Sequence, residues 1–130
     1  MRVHGRQYRT ICVADDGATV EVIDQTRLPF DFEVRHLHTA AQAAEAIREM
    51  VVRGAPLIGV TAAYGVALGM RSDPSDTGLS RVVQLLGATR PTAVNLRWAL
   101  ERVRSVLAVQ SPDRRAARAY DEAARIAEED

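Results

Sequence analysis

One stretch of the sequence decides how the helices are arranged: Met50-Val51-Val52-Arg53-Gly54-Ala55-Pro56-Leu57-Ile58-Gly59. A charged residue followed by Gly, Ala and Pro separates two apolar patterns of helical spacing. Since proline is favoured in the first turn of a helix, the stretch predicts that one helix ends and another begins here. The new helix would start beside Arg53 with several unpaired backbone N–H groups, and both features attract negative charge. We therefore expect an anion-binding site at this junction, with a phosphate-bearing small molecule as the first candidate ligand.

The composition is that of a soluble globular protein of one domain. The chain has 130 residues, of which 47% are hydrophobic and 26% charged, enough to form a core. Its 17 basic and 17 acidic residues balance, so no overall field attracts nucleic acid or an acidic membrane. Every basic residue is arginine. Without lysine, this chain cannot carry out Schiff-base or lysine-base chemistry.

Cysteine usage and hydropathy point to the cytoplasm. A single cysteine, Cys12, rules out a disulfide within the chain and a cysteine-based zinc cluster. The N-terminus lacks the apolar segment of a signal peptide. The longest apolar run, Ala55 to Met70, is too short to span a bilayer and contains three glycines. We expect no membrane partner and no nucleic-acid partner.

Strand patterns come first along the chain. They cover residues 8–14 and Thr19 to Ile23, and the Asp15-Asp16-Gly17 turn between them is a strong hairpin signal. A third short strand is predicted from Glu33 to Leu37.

Helical patterns take over from Thr39, which with Gln42 fits a capping box. The next helix, predicted from Pro56 to about Met70, is apolar nearly all round and is therefore expected to be buried. Three more helices are predicted: Leu79 to Leu86, a helix capped by Thr92, and a last one opened by Ser111-Pro112. The fold class is α+β, a β-hairpin or small antiparallel sheet followed by a mostly α-helical bundle of about five helices.

The last helical pattern shows no stop signal before Asp130. We therefore expect a fragment, or a chain cut at a domain boundary.

Two arginines next to helix starts are the main candidates for binding. Arg53-Gly54-Ala55 fits a phosphate cradle of backbone amides and a guanidinium, because glycine lets the backbone approach a ligand closely. A helix junction with Arg53 in a surface ion pair explains the same pattern equally well. Arg90, in Arg90-Pro91-Thr92, repeats the arrangement. The two arginines would hold one anion only if they meet in space, where Arg offers bidentate geometry.

Other polar residues carry weaker signals. Asn95, in the helix after Thr92, fits either a ligand contact or a buried hydrogen bond, and packing is the favoured interpretation. Trp98 is expected in the core or an interface. His36 and His38 alternate on a strand, where a solvated face explains them better than a metal site with two histidines. We find no acid–base pair at interpretable spacing, no activated nucleophile and no complete nucleotide-binding fingerprint.

Three motifs nevertheless resemble a known family. They are Val22 to Thr26 (VIDQT), Ile47 to Gly65 (IREMVVRGAPLIGVTAAYG) and Arg90 to Leu100 (RPTAVNLRWAL). Together they resemble the amino-terminal part of the methylthioribose-1-phosphate isomerase family, which is related to the regulatory subunits of translation initiation factor 2B. The resemblance covers essentially the whole chain, in order and with compatible spacing. It is less decisive between this isomerase and sister isomerases that act on other sugar phosphates.

The resemblance implies roles for individual residues. The family's substrate-binding Arg-Gly-Ala corresponds to Arg53, Gly54 and Ala55, and its second substrate-binding arginine corresponds to Arg90. It implies an α+β domain of residues 1–130 that packs on a larger Rossmann-like domain, in a protein that is typically a homodimer. The family's catalytic Cys and acid–base Asp belong to that larger domain, so no catalytic residue is assigned here and Cys12 does not take that role. No cofactor and no metal are implied.

The family reaction converts an aldose to a ketose by moving hydrogen between C2 and C1 of a sugar 1-phosphate. Three hypotheses follow. The chain is the phosphate-binding part of such an isomerase and inactive alone, or a non-enzymatic module that binds a sugar or nucleotide phosphate or a partner protein. Alternatively, it is a structural fragment whose cleft forms only with the larger domain.

Overall fold

A three-stranded antiparallel sheet forms the amino-terminal part of the molecule. The computed structural model describes residues 2–3, 6–7, 10–28 and 30–129. Strands β3 (Ile11–Val13), β4 (Val20–Ile23) and β5 (Val34–Leu37) follow one another in the sheet, with Ile11 opposite Val22 and Val20 opposite Leu37. The hairpin predicted from Asp15-Asp16-Gly17 is confirmed, and Gly17 takes the left-handed φ of +74° that the turn requires.

Two shorter strands, β1 (Arg2–Val3) and β2 (Arg6–Gln7), pair with each other ahead of this sheet. The sequence predicted a first strand over residues 8–14. Residues 8–9 of that prediction lie outside the described residues, and the rest corresponds to β3.

Helix α1 (Ala40–Arg48) begins where its capping signal predicts. The Thr39 side chain accepts a hydrogen bond from the Gln42 N–H at 3.1 Å. The Gln42 side chain accepts from the His38 N–H at 2.7 Å, one residue earlier than in a capping box. Reciprocal capping thus fixes the point at which the sheet passes into the helices.

Helix α2 (Ala55–Ser72) is the centre of the bundle and packs against the other four helices of the described chain. Nearly every residue from Ile58 to Met70 is buried, as its all-round apolar pattern predicts. Its glycines allow close packing: a Cβ added at Gly69 would lie 2.6 Å from a methyl carbon of Val82. At Gly59 an added Cβ would lie 3.2 Å from the carbonyl oxygen of Asn95.

The remaining helices are α3 (Asp76–Gly87), α4 (Val94–Ala108) and α5 (Pro112–Glu128). The prediction that α3 starts at Leu79 is wrong by three residues. The cause is Ser75, whose hydroxyl accepts the Gly78 N–H at 3.0 Å and caps the helix earlier. The sheet and the helices share one hydrophobic core, so the α+β class is confirmed. Within the described residues, no helix combines the length and apolarity needed to cross a membrane.

Candidate functional site

The segment between α1 and α2 begins with an unusual backbone conformation at Met50. Its φ is +63°, and Met50 is the only described non-glycine residue with a positive φ. The Met50 N–H donates to the Ile47 carbonyl at 3.3 Å, and the Val51 N–H donates to the Ala46 carbonyl at 2.9 Å. These two bonds define a Schellman ending of α1, in which the left-handed position is usually glycine. The chain thereby reverses direction and brings Val51 and Val52 into the core.

Two buried valines hold this segment against the hydrophobic core. Val51 and Val52 are buried, and the Val51 carbonyl accepts a hydrogen bond from the Gln25 N–H at 2.9 Å. Gln25 follows Asp24 at the end of β4, so the sheet itself holds this segment in place. Arg53 comes next and is exposed, which leaves its guanidinium available to a ligand.

Gly54 opens α2 with a φ of +92°. A Cβ added there would have no atom within 4 Å, so this glycine is needed for its backbone conformation and not for space. Gly54 has no side chain to cap the helix, and Pro56 lacks an N–H. The amides of Ala55 and Leu57 are therefore left without an intrahelical acceptor, as at any helix start.

Arg90 lies in the tight turn that leads into α4, where the Ala93 N–H donates to the Arg90 carbonyl at 3.0 Å. The prediction that Thr92 caps this helix is wrong. Ala93 occupies the cap position and makes no side-chain bond, because the turn places Thr92 one residue too early. The start of α4 therefore has uncapped amides, like the start of α2.

One pocket of about 470 Å³ lies between these two helix starts. Arg53, Gly54, Ala55 and Arg90 all line it. The structure thus brings together the two arginines that the sequence singled out, 37 positions apart (90 − 53), together with the positive ends of two helix dipoles. Such an arrangement suits an anion that carries more than one negative charge.

Comparisons with known proteins show which proteins the chain is similar to. No model of a known protein family matches the chain. A methylthioribose-1-phosphate isomerase of Methylobacterium nodulans is 67% identical over all 130 residues. The crystal structure of a 5-methylthioribose 1-phosphate isomerase from Pyrococcus horikoshii superposes on 96% of the chain with a TM-score of 0.86 and 34% identity. Over its whole length, the chain is thus homologous to the amino-terminal part of methylthioribose-1-phosphate isomerases.

A second solved structure with a different function also matches the chain. The structure of the delta subunit of translation initiation factor 2B from A. fulgidus matches 95% of the chain, with a TM-score of 0.85 and 35% identity. The chain spans about a third of each of these three proteins: 36% of the Methylobacterium isomerase and 37% and 38% of the two structures. The resemblance seen in the three sequence motifs is thereby confirmed for the amino-terminal part of the family.

The structure decides between the alternatives for two residues of α4. Packing was the favoured interpretation for Asn95, yet Asn95 is exposed at the second position of the helix and lines the same pocket as Arg53 and Arg90. Trp98 is 52% exposed on the outer face of α4, so its prediction as a core residue is wrong and its place in an interface stays a prediction. The Arg102 guanidinium lies 5.4 Å from the centre of its ring, a cation–π distance.

His36 lies in β5, whereas His38 follows the end of that strand, and each contacts a different polar residue. His36 Nε2 is 3.0 Å from a Glu21 oxygen, and His38 Nδ1 is 3.3 Å from the Thr19 hydroxyl. Both are exposed, as the prediction of a solvated face requires. Among the described residues, no group of three potential ligands could hold a metal ion.

Asp24 is a supporting residue that the sequence analysis did not single out. It directly follows β4 and is fully buried. Its carboxylate accepts from the Thr26 N–H at 3.0 Å and from Arg35 Nε at 3.1 Å. Although burial alone would raise it, these bonds from Thr26 and Arg35 hold the pKa of Asp24 below its ordinary value. The Asp-x-Thr spacing was the available signal for this turn.

Proposed function

We propose that this chain is the phosphate-binding part of a methylthioribose-1-phosphate isomerase, in which Arg53 and Arg90 hold the phosphate group of the substrate. The reaction would be the aldose–ketose isomerisation of methylthioribose 1-phosphate to methylthioribulose 1-phosphate in the cytoplasmic salvage of methionine. Gly54 and Ala55 would contribute backbone amides to the same phosphate.

The observation that carries this proposal is the convergence of the two arginines on one pocket. A phosphate monoester is doubly charged or nearly so at neutral pH, with three oxygens to accept hydrogen bonds. A guanidinium can donate two parallel hydrogen bonds to it, and two guanidiniums with two helix starts can satisfy all its oxygens. The similarity to the Methylobacterium and Pyrococcus isomerases suggests the substrate.

The chemistry that we assign to this chain is binding and orientation. The phosphate on C1 prevents the sugar ring from opening to a free aldehyde, so the substrate must be held while protons move at C1 and C2. In the family these protons are handled by a Cys and an Asp of the larger domain, and we assign neither role to a residue of this chain. We propose that residues 1–130 form one domain that has no isomerase activity by itself and works together with such a catalytic domain or in a homo-oligomer.

Calorimetric titration of the chain with methylthioribose 1-phosphate tests the proposal. We expect Arg53→Ala and Arg90→Ala each to weaken binding by about tenfold or more, because each removes a charge-assisted pair with the phosphate. Arg97→Ala is the matched control, since Arg97 is an exposed arginine of α4 outside the pocket. Binding that is absent, or that survives both substitutions, would contradict the assignment, and turnover by these residues alone would contradict the inactivity.

The initiation factor match favours one alternative, a non-enzymatic module that binds a sugar phosphate, a nucleotide or a partner protein. The same titration distinguishes the two, with a nucleoside monophosphate as the second ligand. An isomerase part should prefer the sugar phosphate, and the alternative would be supported if the nucleotide bound more tightly.

A further inference from the structure

We propose that Met50 determines which sugar phosphate the pocket accepts, by placing its thioether side chain against the apolar methylthio substituent of the ligand. This inference rests on the proposed function, because it assumes that Arg53 and Arg90 hold the phosphate. It assigns to a residue outside the predicted substrate-binding set the task of distinguishing methylthioribose 1-phosphate from a sugar phosphate that carries a hydroxyl instead.

The lining of the pocket has two chemical characters. Arg53 and Arg90 supply the positive charge, while its apolar part includes Met50, Ile58 and Val94. Ile58 is buried beneath the surface, with 6% of its area exposed, whereas Met50 is 41% exposed. A ligand that fits such a pocket carries an anionic group and an apolar group in one small molecule, and a methylthio sugar phosphate has both.

The backbone at Met50 is what holds its side chain in the pocket lining. Left-handed φ values are unfavourable for residues with a Cβ, and the corresponding position of a Schellman ending is usually glycine. Here the strained conformation is imposed by the α1 ending on one side and by buried Val51 on the other. A strained non-glycine residue that lines a binding pocket is a reason to look for a role of its side chain.

Methionine has the chemistry for this contact. Its side chain is flexible and its sulfur is polarisable, so it adapts to an apolar group without fixing a single shape. A ligand hydroxyl placed against the same side chain would lose hydrogen bonds to water and gain none in return. The methylthio compound should therefore bind more tightly than its hydroxyl counterpart.

The experiment compares Met50→Gln with Met50→Leu. Glutamine has nearly the length of methionine but is polar, while leucine keeps the apolar character, and both must adopt the same left-handed backbone. Each variant is titrated with methylthioribose 1-phosphate and with ribose 1-phosphate, and its urea unfolding midpoint is compared with that of the unsubstituted chain.

We expect the unsubstituted chain to prefer the methylthio compound by about tenfold or more, the range that one small apolar group provides. Met50→Leu should keep most of this preference, and Met50→Gln should lose about tenfold of it with unchanged ribose 1-phosphate binding. An unchanged preference in Met50→Gln would overturn the inference and leave the phosphate assignment intact. If the unsubstituted chain bound neither compound, both proposals would fall.

Discussion

Asp16 in the hairpin turn illustrates what a single exposed carboxylate does in this molecule. One of its oxygens accepts the N–H groups of Ala18 and Thr19, both at 2.8 Å, and the other accepts the Thr19 hydroxyl. The bond from the Thr19 hydroxyl, followed by the two amide bonds, lowers the pKa of Asp16 to about 2 from an ordinary value of 3.8. The ionised form of Asp16 is therefore favoured in the folded protein, and the stability of the turn depends on pH.

Ionised Asp16 should stabilise the folded protein at neutral pH and lose this effect in acid. A carboxylate with a lowered pKa stabilises the folded state above its unfolded value of 3.8, and this stabilisation is lost as pH falls through about 2. We expect Asp16→Asn to unfold at a lower temperature than the unsubstituted chain at pH 6. The difference should shrink between pH 4 and pH 2, as measured by circular dichroism. A constant difference over this range would show that the charge of Asp16 is not involved.

Residues near one another in sequence were predictable, and distant partners were not. The Asp15-Asp16-Gly17 turn and the Thr39 cap follow from bonds between residues two to four positions apart, which a sequence pattern contains. The pairing of Asp24 with Arg35 spans 11 positions and depends on the register of β4 and β5. No local pattern distinguishes Arg35 from the other arginines, so its role became visible only in the folded sheet.

At the scale of elements, α2 was predictable because its apolar surface covers the whole helix, and only a central helix can bury such a surface. The ends of helices were less predictable. Ser75 starts α3 three residues early, and α4 starts at Val94 with no capping side chain at all. Each boundary depends on which of several adjacent polar residues the turn presents to the helix, and the sequence alone leaves that choice open.

Helices α2 and α3 pack so closely at Gly69 that a larger residue there should destabilise the protein. Gly69→Ala should destabilise the protein by about 1–3 kcal/mol, because the added methyl group would lie 2.6 Å from the stiff side chain of Val82. Gly87→Ala is the matched control: its Cβ would meet only Leu100, at an ordinary 3.6 Å. That variant should be neutral, or more stable by up to about 1 kcal/mol, since alanine is the better helix former.

Urea unfolding of the two glycine variants checks this expectation. Equal effects of Gly69→Ala and Gly87→Ala on the unfolding midpoint would mean that helix propensity, and not contact with α3, governs the Gly69 position.

For the molecule as a whole, buried Arg115 connects three helices. Its guanidinium donates to the Leu107 carbonyl at 3.0 Å, to the Pro74 carbonyl at 2.9 Å and to the Asp76 carboxylate at 2.7 Å. These acceptors belong to the end of α4, the loop before α3 and the start of α3. Because Arg115 is only 3% exposed, these three acceptors take the place of water around its guanidinium, and exposed Asp76 supplies the opposite charge.

Removal of this side chain should be costly. We expect Arg115→Ala to lower the free energy of unfolding by about 1–3 kcal/mol, since the buried Leu107 carbonyl and the half-buried Pro74 carbonyl lose their donor and a cavity forms. Arg114→Ala, at the exposed neighbouring position, should change it by less than about 0.5 kcal/mol. Chemical denaturation of both variants measures the difference, and similar effects at 114 and 115 would disprove the connecting role of Arg115.

The position of Arg53 and Arg90 around one pocket is also a property of the whole molecule. Each helix start could be inferred from a few residues, but their convergence depends on how α4 lies against α2. From the sequence, only the family resemblance of the three motifs implied that both arginines bind one substrate. Only the three-dimensional arrangement places them around a common pocket.

At Gly59, α2 lies so near to α4 that an added Cβ would be 3.2 Å from the Asn95 carbonyl oxygen. If Arg53 and Arg90 hold the phosphate as proposed, their separation depends on this contact, one turn into α2. A methyl group added at position 59 would push α4 away from α2, and the affinity for phosphate would change although neither arginine is altered.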